Sequence, residues 1–131
     1  MLDSMVKCLR ALGDENRLRM LMLLRERDLC VLEVVGALGI SQPLASSHLA
    51  VLREAGLATA HREGRRIRYS LSVEARRGGK HRLLDRVAAA IVAEPLIAAD
   101  RERLAECAAF RGSAVCDNKT LARFRTNRSR S

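Results

Sequence analysis

The chain has 131 residues, 24 Lys and Arg against 15 Asp and Glu, and a formal charge of +9. This length fits one domain with its own core, and apolar residues dominated by Leu, Ala and Val, with only 2% aromatic residues, favour helices over an all-β sandwich. No apolar run reaches the roughly 18 residues of a membrane span, and Met1–Arg10 has no signal-peptide layout. We therefore expect a cytoplasmic protein without membrane association, whose four cysteines serve as thiols, metal ligands or core residues rather than a disulfide framework.

The hydrophobic periodicity predicts four helices in the first part of the chain. Their predicted spans are Leu2–Leu12, Glu15 to about Arg27, Val31–Leu38 and Gln42 to about Ala55. Asp14 and Ser41 are suited to cap the second and fourth helices, and Gly39 stands where a helix C-terminus favours a left-handed residue. Cys8 lies on the apolar stripe of the first helix, so we predict that it packs in the core.

The third and fourth helices, joined by a Gly-containing turn, are typical of a helix-turn-helix with Gln42–Ala55 as the recognition helix. The face opposite its apolar stripe carries small or hydrogen-bonding residues, which can approach base edges and phosphates closely. The residues predicted to contact DNA on this helix are Ser41, Gln42, Pro43, Ser46, Ser47 and Arg53. His48 borders the apolar stripe, so we predict that it positions the helix by hydrogen bonding instead of reading a base.

A basic hairpin is predicted directly after the recognition helix. A loop at Glu63-Gly64 would place Arg62 opposite Arg65 and Ala60 opposite Ile67, although Glu-Gly is a weaker turn signal than Asn-Gly and a loop one residue longer is the alternative. The segment His61–Arg68 has four arginines and one glutamate, and such a cluster attracts a phosphate backbone. We therefore predict a wing that contacts DNA through its arginines, which are Arg62, Arg65, Arg66 and Arg68.

The remainder of the chain is predicted to be helical and then disordered. An apolar stripe from Leu84 to Val92 predicts a helix after Ser72, and Leu96–Ala109 predicts another. Arg111–Ser131 has six basic residues and one aspartate and is interpreted as a solvated, disordered basic tail that carries Cys116. These features predict a domain over residues 1–110 and a tail over residues 111–131.

The order of these elements and three motifs closely resemble the ArsR/SmtB family of winged-helix repressors. The motifs are Leu9-Arg10-Ala11-Leu12-Gly13-Asp14-Glu15-Asn16-Arg17-Leu18-Arg19, the segment from Ser41-Gln42-Pro43-Leu44 to Glu54-Ala55-Gly56-Leu57, and the wing from Arg62 to Leu71. The resemblance implies a mainly α fold with a small β-hairpin, a winged helix-turn-helix in the order α-α-α-α-β-β-α. It also implies a homodimer joined through the first and last helices and bound to double-stranded DNA at a palindromic operator. An inducing ion or thiol oxidation would release that DNA.

The resemblance places an inducer site at the start of the third helix. Arsenic- and cadmium-responsive members have Cys-Val-Cys there, whereas this chain has Cys30-Val31-Leu32 and keeps only the first thiol. Because one cysteine alone cannot form the thiolate cage that a soft ion requires, either the site is lost or Cys30 recruits Cys107 and Cys116. Three thiolates suit As(III) or antimony, and the same trio could hold a divalent thiophilic ion instead. Core packing of Cys107 is the alternative interpretation. The Asp/His ligand set that other members carry on the final helix is incomplete, so His81 and Asp85 are interpreted as a solvated face.

Three hypotheses follow from these residues. The first is a DNA-binding repressor released by trivalent arsenic or a similar thiophilic species. The second is the same scaffold sensing oxidants or persulfide by linking two cysteines, and the third is a constitutive nucleic-acid binder with inert cysteines. No enzyme and no organic cofactor are expected, because the sequence contains no nucleophile–base pair, no phosphate-binding Gly loop and no acidic dyad.

Overall fold

The computed structural model describes residues 1–109, which contain seven helices and three short strands. The elements are α1 (Leu2–Leu12), α2 (Glu15–Leu24), β1 (Leu29–Cys30), α3 (Val31–Leu38), α4 (Gln42–Glu54), β2 (Ala58–Glu63), β3 (Arg66–Leu71), α5 (Val73–Arg77), α6 (His81–Ile91) and α7 (Pro95–Ala109). The mainly helical winged fold predicted from the sequence is confirmed. The expected tail over residues 111–131 lies outside the described residues.

Helix α2 lies at the centre of the core, as its run of apolar residues requires. Met20, Leu23 and Leu24 are at most 2% exposed and join the inward residues of α1, α3, α4 and the base of the sheet in one cluster. Asp14 caps this helix as predicted, because its carboxylate accepts a hydrogen bond from the Arg17 N–H at 3.1 Å. The helix ends at Leu24, earlier than predicted.

The helix-turn-helix forms as the sequence predicts. Gly39 ends α3 with φ of 71°, a left-handed conformation that glycine adopts without a steric penalty. Ser41 caps α4 by accepting a hydrogen bond from the Leu44 N–H at 3.3 Å, and Pro43 lies in the first turn, where its missing N–H does no harm. The two helices are bent 113° from each other, within the range of this motif.

The wing differs from the prediction in its register. Glu63 pairs with Arg66 and Ala60 with Tyr69, so the two-residue turn is Gly64-Arg65 and not Glu63-Gly64. The reason is the backbone: the first turn position needs a positive φ, which Gly64 supplies at 62° and Glu63 would adopt only with strain. Because the pairing shifts by two residues, each side chain keeps its predicted face.

Two further features were absent from the predicted order. The two-residue strand β1 pairs with β3 and makes the hairpin a three-stranded antiparallel sheet in the order β1-β3-β2. Three helices follow the wing, where the periodicity predicted two and the order implied by the resemblance had one, because the Gly78-Gly79 segment separates α5 from α6. Helix α7 begins at Pro95, one residue before its predicted start. A Cβ at position 78 would lie 2.7 Å from the Glu74 Cα, which explains the glycine at this break.

Helix α7 packs against α2 and α3 through a buried polar network. The Arg19 guanidinium donates two hydrogen bonds of 2.8 Å to Asp100, whose side chain is 1% exposed. Arg103 donates to the Ala37 carbonyl at 2.6 Å and to Asp100 at 2.5 Å. Among residues 1–109 no single helix is long and apolar enough to cross a membrane. Helices α3 and α4, which are bent against each other, reach that length and apolar composition only when taken together.

Candidate nucleic-acid interface and cysteine sites

The exposed face of α4 carries the residues predicted to contact DNA. Its inward residues Ala45, Leu49 and Leu52 are fully buried, which fixes the orientation of the opposite face. That face is exposed at every predicted position, namely Ser41, Gln42, Pro43, Ser46, Ser47 and Arg53. The helix therefore presents short polar side chains and one cation to the outside, a surface that can enter a major groove.

His48 anchors α4 to the rest of the domain. It is 8% exposed, and its Nδ1 lies 3.1 Å from Arg17 Nη1 while its Nε2 lies 3.8 Å from the Asp14 carboxylate. Arg17 also donates to the Ala11 carbonyl at 2.7 Å and to the Arg10 carbonyl at 3.2 Å, at the end of α1. The hydrogen bonding predicted for His48 is confirmed, and its role relative to DNA stays a prediction. Arg17 was missed, because one arginine within a helical pattern carries no signal of its partners.

The four wing arginines are exposed as predicted, but they do not share one environment. Arg68 lies between two carboxylates, 2.5 Å from Glu63 and 3.6 Å from Asp28. The other three arginines form no ion pair among the residues that the structure describes; these are Arg62, Arg65 and Arg66. The excess positive charge of the wing is therefore concentrated at its tip, whereas Arg68 ties the base of the wing to the segment that precedes α3.

Cys30 lies where the first helix of the helix-turn-helix meets the wing. It is the last residue of β1 and the N-cap of α3, and its Cα is the ladder partner of Arg68 on β3. Glu33 accepts a hydrogen bond from the Cys30 N–H at 3.1 Å and forms an ion pair with Arg27. The side chain is 8% exposed and is disulfide-bonded in this structure, which differs from the thiol that we expected. The strand pairing was not predicted, because two residues carry no periodicity.

The other cysteines occupy different environments. Cys8 is fully buried, as predicted, and burial raises the pKa of its thiol although the nearby Lys80 opposes this. Cys107 is a buried thiol on α7, 1% exposed, and Cys116 lies outside the described residues. Among the described residues no group of three His, Cys, Asp or Glu side chains could hold a metal ion, so the predicted Cys30, Cys107 and Cys116 site stays a prediction.

The pair on α6 is surface-exposed, as interpreted from the sequence. His81 Nε2 lies 3.0 Å from the Asp85 carboxylate, and both side chains are more than 40% exposed. Asp85 also forms a 2.9 Å ion pair with Arg25 on α2. These contacts describe a solvated helix face.

Comparison with known proteins finds related transcriptional regulators. A family model described as bacterial regulatory protein, arsR family, matches residues 14–60. The transcriptional repressor SmtB of Mycobacterium tuberculosis is 44% identical over 71 residues, which cover 54% of this chain and 53% of that protein. The arsenic resistance transcriptional regulator ArsR1 of Pseudomonas putida is 47% identical over 66 residues, covering 50% of this chain and 52% of that one. The chain thus spans about half the length of these curated relatives.

A solved structure matches over a larger share of its length. It is the homodimeric winged helix-turn-helix DNA-binding domain of a possible ArsR-family transcriptional regulator from Mycobacterium bovis. Its identity to this chain is 31% with a TM-score of 0.59, covering 68% of this chain and 81% of that one.

Proposed function

The chain belongs to the ArsR family of bacterial regulatory proteins, and from this we propose that it is a transcriptional repressor that binds operator DNA and is released by a thiophilic inducer. The proteins it resembles are transcriptional regulators and not enzymes. The observation that carries the proposal is the position of Cys30, which joins the first helix of the helix-turn-helix to the wing strand at Arg68.

DNA would be bound by the exposed face of α4 together with the wing. Gln42, Ser46 and Ser47 have the donors and acceptors to read base edges, and the arginines at the wing tip would contact adjacent phosphates. The polar face of the helix gives specificity, whereas the wing arginines give affinity that weakens as salt rises.

A homodimer on a palindromic operator is part of the proposal. An unpartnered apolar stripe on α1 supports it, because Leu2, Val6 and Leu9 are 77%, 38% and 51% exposed and follow helical spacing. A contiguous exposed apolar stripe marks a contact surface. The Mycobacterium bovis domain is described as homodimeric. In such a dimer the two α4 helices would enter successive major grooves about 34 Å apart.

The inducer would act at Cys30. A thiophilic ion bound by this thiolate changes the charge and geometry of the residue whose backbone pairs with the wing at Arg68. Asp28, two residues earlier, holds both Arg68 and Arg76, so a shift of this segment would move the base of the wing. The ligand shifts the equilibrium only by its differential affinity for the two conformations.

We propose As(III) as the inducer, held by Cys30 with Cys107 and Cys116. Soft thiolate donors fit this ion, and α7, which carries Cys107, packs directly against α3. The Pseudomonas putida relative is named for arsenic resistance. Antimony(III) has the same donor preference, so the binding experiment includes both ions.

The experiment uses the full chain, reduced with a phosphine, and a duplex selected from a random pool by the reduced protein. Arsenite is titrated into the complex while fluorescence anisotropy of the labelled duplex is followed, and antimonite is titrated in parallel. We expect arsenite to release the duplex from the unsubstituted chain but not from Cys30→Ser. The control Cys8→Ala removes a core thiol and keeps the response. Equal release from Cys30→Ser would refute the proposed site.

A redox-sensing repressor is the second candidate, and the disulfide at Cys30 favours it. Oxidation of two thiols to a disulfide would then replace ion binding, with the oxidant taking two electrons and two protons. Diamide added without arsenite should release the duplex, and a thiol reductant should restore binding. Release by arsenite under full reduction, with no effect of diamide, would exclude this second candidate.

A further inference from the structure

The C-terminal end of the recognition helix is held by hydrogen bonds from the segment between the wing and α6. Lys80 Nζ donates to the Ala55 carbonyl at 3.0 Å, and Ala55 is the C-cap residue of α4. Ser72 Oγ donates to the Gly56 carbonyl at 2.7 Å, and the Ser72 N–H donates to the Leu57 carbonyl at 2.9 Å. Three successive carbonyls at the end of the helix are therefore satisfied by only two residues.

Lys80 is unusual because it is buried. The residue is 7% exposed, although lysine is almost never fully buried unless it is paired. Its ammonium lies 3.7 Å from the Glu74 carboxylate on α5 and close enough to Cys8 on α1 to lower the pKa of that thiol against the larger effect of burial. A cation at this point also complements the negative end of the α4 dipole.

The backbone at the end of α4 is adapted to this side chain. Gly56 has φ of 76°, and a Cβ at that position would lie 3.2 Å from Lys80 Nζ. Strand β2 begins two residues later, at Ala58. The contact to Ala55 therefore lies between the recognition helix and the start of the wing, and it fixes where one ends and the other begins.

We propose that Lys80 is a positioning residue for DNA recognition, which sets the angle of α4 relative to the wing without touching DNA. This inference rests on the DNA-binding part of the proposed function and is independent of the inducer. Base edges and phosphates must be contacted at the same time, so a small rotation of α4 against the wing disrupts specific binding. The ammonium is too deeply buried to reach a phosphate, so its removal should not change the electrostatic part of the binding.

The test compares Lys80→Met with the control Arg77→Met, which removes an exposed cation from the neighbouring last turn of α5. Affinity is measured for the selected duplex and for a random-sequence duplex over a range of salt concentrations. For Lys80→Met we expect specific affinity to fall at least about tenfold, with random-sequence affinity and the slope of log K against log salt unchanged. Arg77→Met should keep specific affinity.

Two results for Lys80→Met would overturn the positioning role. One is wild-type affinity of Lys80→Met for the selected duplex, and the other is a slope reduced by about 0.9, which indicates that Lys80 itself binds a phosphate. If Lys80→Met loses its helical circular dichroism, Glu74→Gln replaces it. Glu74 is an exposed partner of Lys80, and we expect about a twofold loss of specific affinity at constant slope; no loss would overturn the inference. Failure of the unsubstituted chain to select any duplex would instead refute the proposed function.

Discussion

Substitution of Asp100 by Asn tests whether the buried polar network holds α7 to the domain. Asp100 is 1% exposed and Arg19 is 11% exposed, so solvent does not screen this pair. Two hydrogen bonds of 2.8 Å join them in a bidentate arrangement. The hydrogen bond from Arg19 to Asp100 is the main reason that the pKa of Arg19 is raised above its ordinary value. Asp100→Asn removes the carboxylate that binds this buried guanidinium and leaves only the smaller electrostatic effect of Glu15.

We expect Asp100→Asn to lower the unfolding free energy substantially, because the charge that remains on Arg19 is buried and cannot move into water. Removing one partner of a buried ion pair costs about 3–5 kcal/mol, a substantial share of the total stability of about 5–15 kcal/mol for a domain. The network also includes Arg103, which donates to Asp100 at 2.5 Å and would lose this counter-charge while keeping its hydrogen bond to the Ala37 carbonyl. We therefore expect the decrease in unfolding free energy for Asp100→Asn to lie in the upper half of the range of about 3–5 kcal/mol.

The assay is urea unfolding of the full chain at pH 7, followed by circular dichroism. The control is Glu102→Gln on the exposed face of α7, which should change the unfolding free energy by less than about 0.5 kcal/mol. The double variant Arg19→Met with Asp100→Leu should lose less unfolding free energy than Asp100→Asn alone, since no unpaired charge remains at position 19. A decrease in unfolding free energy of less than about 1 kcal/mol for Asp100→Asn would refute the claim that this network holds α7 to the domain.

Three further changes have defined outcomes. Burial raises the pKa of the Cys8 thiol above its ordinary value of 9.0, so as pH rises the unfolded chain loses this proton before the folded chain does. The unfolding free energy should therefore fall as pH rises beyond 9.0. In Cys8→Ala this fall should be shallower, as measured by urea titrations between about pH 7 and 10. Ser41→Ala removes the cap of α4 and should lower the unfolding free energy by about 1 kcal/mol, and an unchanged urea midpoint would contradict the cap. In Gly64→Ala the new Cβ meets no atom within 4 Å, so the expected decrease of about 1–2 kcal/mol in unfolding free energy comes from the positive φ alone. Asparagine tolerates this conformation, so Gly64→Asn should lower the unfolding free energy less in the same assay.

Local signals in the sequence predicted the parts of the fold that local chemistry determines. The caps at Asp14 and Ser41 and the left-handed Gly39 form where side-chain and backbone preferences place them. The spans of α1 and α3 also agree with the periodicity, because one face of each helix packs in the core. The exposed face of α4 followed from the same pattern, as did the buried position of His48.

The features that sequence reasoning missed depend on contacts between distant residues. Arg19 and Asp100 are 81 residues apart, and Lys80 reaches Ala55 from 25 residues away. No periodicity connects such pairs. The wing register was wrong because the choice of turn depended on which residue takes a positive φ. Strand β1 has two residues, so its pairing, which brings Cys30 to Arg68, is visible only in three dimensions.

The salt dependence of DNA binding tests the central claim that α4 and the wing tip engage one duplex together. The double variant Arg65→Ala with Arg66→Ala removes two cations that form no ion pair among the described residues, and Arg77→Ala serves as the exposed control. We predict that the slope of log K against log salt falls by about 0.9 for each phosphate that the variant no longer binds, with sequence preference retained. A slope equal to that of the unsubstituted chain would contradict the claim.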